Sequence, residues 1–311
     1  MPFYDRPFYD RPFYDKFMEA VAPTPLERSN AEPATLVKLA RVIRQRPTLA
    51  LGVLLVLVFV TVAVLGPGLV AYEPTKTNPR ATFQPPSSEF PFGTDKFGRD
   101  VLTRVVYATR LDLAIAASVA LSGFAIGSLI GGVAGYYGGW LDDVVMRCVD
   151  VMLAFPAFIL AMAITGVLGD TVENVIMAIA TAYVPYFIRL TRGEMLVARM
   201  HQYADAARSV GNPGWRVMLV HLLPNSITPS LVQVALVFAW AILDAAGLAF
   251  LGLGITPPTA EWGVLVSEGA QRIITGEWWV WLFPGIAIVL AAFAFSLVGD
   301  GLRDLNAHKE H

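Results

Sequence analysis

Residues 113–141 read LAIAASVALSGFAIGSLIGGVAGYYGGWL, with no Asp, Glu, Lys or Arg. A helix rising ~1.5 Å per residue needs ~20 apolar residues to cross ~30 Å of hydrocarbon. This run exceeds that length. Residues 47–72, 151–169 and 278–299 are equally free of charge, and 217–243 carry only His221. Residues 174–188 are shorter and must borrow flanking positions or tilt. Transmembrane barrel strands alternate apolar with polar residues over ~10 positions, whereas these runs are apolar on all sides. The pattern predicts an all-α membrane protein with six transmembrane helices.

The composition agrees. Of 311 residues, 55% are hydrophobic and only 15% charged, against roughly 25% charged in soluble domains. Disorder, a collagen-like chain and a disulfide scaffold are excluded as the main description. A net charge of −2 argues against nucleic-acid binding. The single cysteine, Cys148, has no internal partner and is expected as a small buried hydrophobe.

Lys38, Arg41, Arg44 and Arg46 precede the first run with no acid between them. The positive-inside rule therefore places the N-terminus in the cytoplasm, and six spans return the C-terminus there. Seven Lys and Arg lie between Leu111 and Leu302, and five of them (Arg189, Arg192, Arg199, Arg208 and Arg216) fall between the fourth and fifth runs. That loop should also be cytoplasmic. The six basic residues between Glu73 and Arg110 would then face outside, a mild conflict with the rule. The expected organisation is a cytoplasmic tail at 1–47, a membrane domain at 48–305 and a short tail at 306–311. The external segments are 73–104 and 254–277, and a cytoplasmic loop covers 193–225. The tail repeats Pro-Phe-Tyr-Asp three times, at positions 2–5, 7–10 and 12–15. A period of five matches neither helix nor strand, and the repeat is read as a disordered duplication.

Gly123, Gly127, Gly131, Gly135 and Gly139 recur every four residues, which lines them along one side of a helix. In lipid such a stripe lets another helix come close. Enzymatic constellations are missing. There is no His-Glu-x-x-His, and no Gly-Lys-Ser/Thr to end a Walker A loop, so no metal or ATP site is expected in this chain. Asp150 and Asp244 could serve an intramembrane protease, but neither lies in a Gly-x-Gly-Asp context, and Asp150 has Arg147 as a ready partner. Asp244 is the acid expected to be costly inside the membrane, and so a candidate pathway or gate residue.

The loop between the fourth and fifth runs is the most specific part. Tyr203-Ala204-Asp205-Ala206-Ala207-Arg208-Ser209-Val210-Gly211 is followed by His221-Leu222-Leu223-Pro224-Asn225. Helix formers lead to Gly211, suited to a left-handed terminator. A second short helix is expected over 215–222, stopped by Pro224. This pattern resembles the Glu-Ala-Ala loop of ABC importer permeases. The likeness extends to Gly93-Thr94-Asp95, Gly98-Arg99-Asp100, Ala134-Gly135-Tyr136, Met146-Arg147, Phe155-Pro156, Phe250-Leu251-Gly252-Leu253-Gly254, Trp262-Gly263 and Gly299-Asp300-Gly301. Together they resemble the C-type permease of dipeptide, oligopeptide and nickel importers over roughly 36–305.

The resemblance implies a type I ABC importer permease fold and a set of partners. These are a second homologous permease, two cytoplasmic ATPases that bind ATP and Mg, and an extracytoplasmic binding protein. It also implies a location in the plasma (inner) membrane of a prokaryote. Peptides are the substrate class implied first, although nickel, glutathione and oligosaccharide importers look alike. A membrane enzyme and an ion-driven secondary transporter are the readings of another class. The residues expected to couple to the ATPases are Tyr203, Asp205, Ala206, Ala207, Val210, Gly211, His221, Leu223 and Pro224. Asp205 departs from the family's usual Glu.

Overall fold

The structure is a computed structural model, and it describes residues 47–307. The tail repeat, the basic residues 38–46 and His308 and His311 lie outside the described residues.

Helix α1 (Pro47–Leu69) is apolar on all sides, and Leu54, Leu57, Val64 and Leu65 are exposed, as a lipid-facing helix requires. Helix α2 (Val101–Tyr137) is 37 residues long. It starts well before the second apolar run, because Asp100 caps it by accepting from the Thr103 amide at 2.8 Å. Residues 101–104, expected in the segment before the second run, are therefore already helical. Gly138, with φ +67, turns the chain straight into α3 (Gly139–Leu153).

The third apolar run is not one straight helix. α3 and α4 (Ala157–Leu168) meet at a 91° bend. Pro156 is the N-cap of α4 and cannot continue α3, since it lacks an amide hydrogen. At 12 residues, α4 covers only ~18 Å alone. Among the described residues five helices are long and apolar enough to cross a membrane, and the count is six if this bent pair is one broken span.

Helix α5 (Val172–Ala198) takes up the short fourth run by extending past it at both ends. Arg189 and Arg192 are therefore helical, and the loop begins near residue 199 rather than 189 or 193. α6 (Gln202–Ser209) follows. Three short turns then run end to end: Gly214–Arg216, a π-helical turn at Val217–Leu222, and Leu223–Ser226. Pro224 does not stop this stretch, because it sits in the first turn of its helix, where its missing amide costs nothing. α7 (Thr228–Phe250) is the fifth span. α8 (Trp262–Ala270) lies inside the segment expected as an external loop, and α9 (Trp279–Ala307) closes the chain.

α2 and α5 form the central pair. A Cβ on Gly127 would stand 2.8 Å from the Val184 carbonyl oxygen, and one on Gly135 2.9 Å from that of Arg192. Only glycine lets the backbones approach this closely. Gly123 and Gly131 lie on the same face, against Phe187 and Ile188. Gly139 does not belong to it: the chain has turned at Gly138, and no neighbour lies within 4 Å of its Cβ position. Ser128, Thr191 and Ser230 bring hydroxyls of α2, α5 and α7 together in the core, at 3.2 and 2.8 Å. Interhelical hydroxyl bonds of this kind hold helices where lipid gives no hydrophobic drive.

Candidate functional site

The segment joining α5 to α7 carries the residues singled out by the sequence. α6 is seated on the bundle by two small side chains. Ala204 and Ala207 are buried in a cluster with Met195, Ala198, Val217, Met218 and Leu222. Ala207 therefore faces its own subunit and is not free to enter a partner's groove. Its neighbour Ala206 points outward, with Tyr203, Asp205 and Val210.

Asp205 accepts from Arg208 at 3.0 Å within α6, and both side chains are exposed. A pair of this kind contributes little by itself. Gly211 adopts φ +81 and donates to the Arg208 carbonyl at 2.9 Å, the left-handed exit its type allows. Asn212 backs the turn by donating to the Ala207 carbonyl at 3.0 Å. His201 stacks on Tyr203 at 5.6 Å, and Asn225 donates to the His221 carbonyl at 2.9 Å. Leu223 packs at the edge of the buried cluster, and Pro224 is exposed.

The seat is tied to the spans. Arg199, just past α5, donates to the Gly135 carbonyl of α2 at 3.0 Å. Arg192 clasps Asp142 with two hydrogen bonds, one of 2.6 Å, joining α5 to α3. Beneath α6, the end of α5 is therefore tied to α2 and to α3. The sequence reading missed an apolar rim around this knob: Met200, Trp215 and Val220 are exposed beside Val210, which is 80% exposed. Apolar side chains crowding one polar loop were the available signal.

Asp244 lies on α7, where Tyr183 of α5 donates to it at 2.7 Å. It is far from the α6 knob, 16 residues or about 24 Å beyond the start of α7. Asp150 pairs with Arg189 at 2.6 Å, not with Arg147, because the bend after α3 sets it against α5. Cys148 is exposed rather than buried; its neighbour Val149 takes the inward position. Among the described residues no group of three His, Cys, Asp or Glu could hold a metal.

At the opposite end of the bundle a buried ionic network joins the segment before α2, and the first turn of α2, to α8. Asp95 accepts from Arg99 at 2.6 Å and Arg104 at 2.8 Å. Glu268 of α8 accepts from Arg104 at 2.7 Å and Arg99 at 3.1 Å, with Lys96 at 3.4 Å. Burial pushes the Glu268 carboxyl up, but Arg104, Arg99 and Lys96 outweigh it and hold it below its ordinary range. Trp262 is fully buried and donates its indole N–H to the Val105 carbonyl at 3.2 Å. Burial raises its neighbour Glu261.

The family described as "Binding-protein-dependent transport system inner membrane component" matches residues 127–310. The chain belongs to that family. Among its relatives is a dipeptide transport system permease protein of Alkalihalophilus pseudofirmus, 42% identical over 253 residues, covering 81% of this chain and 83% of the relative. A di/tripeptide permease of Pseudomonas aeruginosa is 39% identical, covering 81% and 85%. A glutathione permease of Pectobacterium atrosepticum is 38% identical, covering 85% and 87%. The chain is accordingly a multi-pass transport permease.

Proposed function

We propose that this permease moves short peptides inward, as one of two related permeases driven by two cytoplasmic ATPases and supplied by an external binding protein. The relatives named for dipeptides, di/tripeptides and glutathione support the substrate class, since all three cargoes are short peptides. ATP and Mg belong to the ATPase subunits.

The observation that carries the coupling role is the two-faced α6. Its inner face packs through Ala204 and Ala207 into a buried cluster with Met195 and Ala198 of α5 and Val217, Met218 and Leu222 of the following turn. Its outer face presents Tyr203, Asp205, Ala206 and Val210, whose side-chain partners among the described residues, Arg208 and His201, are local to α6 itself. A short helix fixed to the spans on one side and open on the other suits helix-in-groove docking. Closure of the ATPases displaces α6, and the pinned spans switch access between the two sides. Arg199, Arg208 and Arg216 at this end support placing it in the cytoplasm, with both termini. The external segments 70–100 and 251–278 then face the binding protein.

Reconstitution tests the proposal. Vesicles holding the assembled transporter, with binding protein outside and ATP inside, should accumulate a labelled dipeptide. Accumulation without ATP, or without the binding protein, would contradict it.

A further inference from the structure

Asp244 of α7 has no Lys or Arg partner among the described residues, and three aromatic rings cluster beside Tyr183, which donates to it. Tyr183 and Tyr186, three residues apart on α5, share a helix face, as do Trp240 and Asp244, four apart on α7. The ring centroids lie 5.8 Å apart for Tyr183–Tyr186, 5.8 Å for Tyr183–Trp240 and 6.2 Å for Tyr186–Trp240. The Tyr183 hydroxyl donates to one Asp244 oxygen at 2.7 Å. The other oxygen has no donor among the described residues, and no Lys or Arg pairs with the carboxylate. Tyr186 and Trp240 are each 37% exposed, so the frame is open on one side. Tyr186 also lines a cavity of about 520 Å³ shared with Gln233, Leu190 and Glu194.

We propose that Asp244, Tyr183, Tyr186 and Trp240 form a subsite for a primary ammonium group of the passing solute. A carboxylate in the membrane region is costly unless a cation or donors meet it. One phenol supplies a single hydrogen bond and fixes the carboxylate's orientation. An ammonium carries three donors and a full charge: one N–H can reach the free oxygen, while the rings attract the cation through their faces. A divalent metal fits poorly, because a hard cation asks for six or more oxygens and the frame offers one carboxylate. The inference rests on the peptide reading for its biological cargo, since a short peptide presents such an ammonium at its N-terminus.

The test has two arms on the assembled transporter in liposomes. In the first, a hydrophobic carbodiimide labels the Asp244 carboxyl, and adduct formation is followed by mass spectrometry. Alaninamide should slow total modification of Asp244, counted as carbodiimide adduct plus alaninamide amide, about tenfold relative to N-acetylalaninamide, which lacks the charge. In the second arm, uptake of trialanine is compared with that of N-acetyltrialanine. The wild type should favour the free amine; Asp244→Asn should bring the ratio close to one, and Asp244→Glu should keep a preference. Equal labelling with both small amides would overturn the subsite, even if peptide uptake is normal. Protection by alaninamide in a transporter that takes up no peptide would overturn the peptide reading and leave the ammonium subsite standing.

Discussion

The two ends of the bundle are built on opposite terms. At the 70–100 and 251–278 end, charge is buried and paired: Asp95 and Glu268 each accept from Arg99 and Arg104, while Nε and Nη2 of Arg104 stay buried without a hydrogen-bond partner. At the 199–227 end, charges are exposed, small alanines make the contact, and apolar side chains such as Trp215 and Val210 stand in the open. The first end is held by ion pairs within its own chain. The second holds its own chain with little material and leaves a surface unfinished. That difference is what the proposed docking of α6 would use.

The largest effect is expected where the ionic network loses a charge. Arg104→Met leaves two buried acids, Asp95 and Glu268, short of a cation, and truncating one partner of a buried ion pair costs about 3–5 kcal/mol. Thermal unfolding of the purified complex should show a clear drop, whereas a melting temperature equal to wild type would mean the network is not closed. Next is Gly127→Ala in the α2–α5 seam. Its methyl would meet the Val184 carbonyl and Phe187, and overpacking costs about 1–3 kcal/mol. The same melt reads it, and a neutral result would mean the two helices can separate freely.

A pH series sharpens the contrast further. Glu268 has its carboxyl pKa depressed in the fold. Its contribution is therefore fully present above the ordinary glutamate range and is lost as pH falls through the lowered value. Stability should decline with acidification in that window, and less so in Glu268→Gln. At the other end the smallest thermal effect is expected. A Cβ on Gly211 meets nothing within 4 Å, so Gly211→Val carries only the left-handed backbone penalty, about 1–2 kcal/mol. Its melt should shift little while ATP-driven uptake falls. Unimpaired uptake would show that the turn does not set the knob.

Much of the fold was legible because the bilayer demands long apolar runs, and nothing else in 311 residues explains five of them. The bend after α3 was hidden in an uninterrupted apolar run, where composition cannot tell a straight helix from a broken one; Pro156 was its only mark. The outward set of α6 was partly readable: Gly211 announced its turn. Which alanine faces inward was not, because an eight-residue helix in a polar loop has no periodicity long enough to fix its buried side. The ionic lock escaped because its partners are more than 160 positions apart in sequence, and α8 was concealed in a segment opening with Gly254, Pro257 and Pro258. The Asp244 contact to Tyr183 spans 61 positions and needed the fold as well.

Cross-linking at Ala206 tests the central claim most directly. In a Cys148→Ala background, Ala206→Cys puts a thiol on the outer face of α6, and Ala204→Cys puts one on the buried face. The assembled, transport-active complex should cross-link at 206 to an ATPase subunit and give no product at 204. A thiol at 206 that joins the second permease, or labels freely from outside the membrane while uptake continues, would contradict the assignment of this helix as the ATPase docking element.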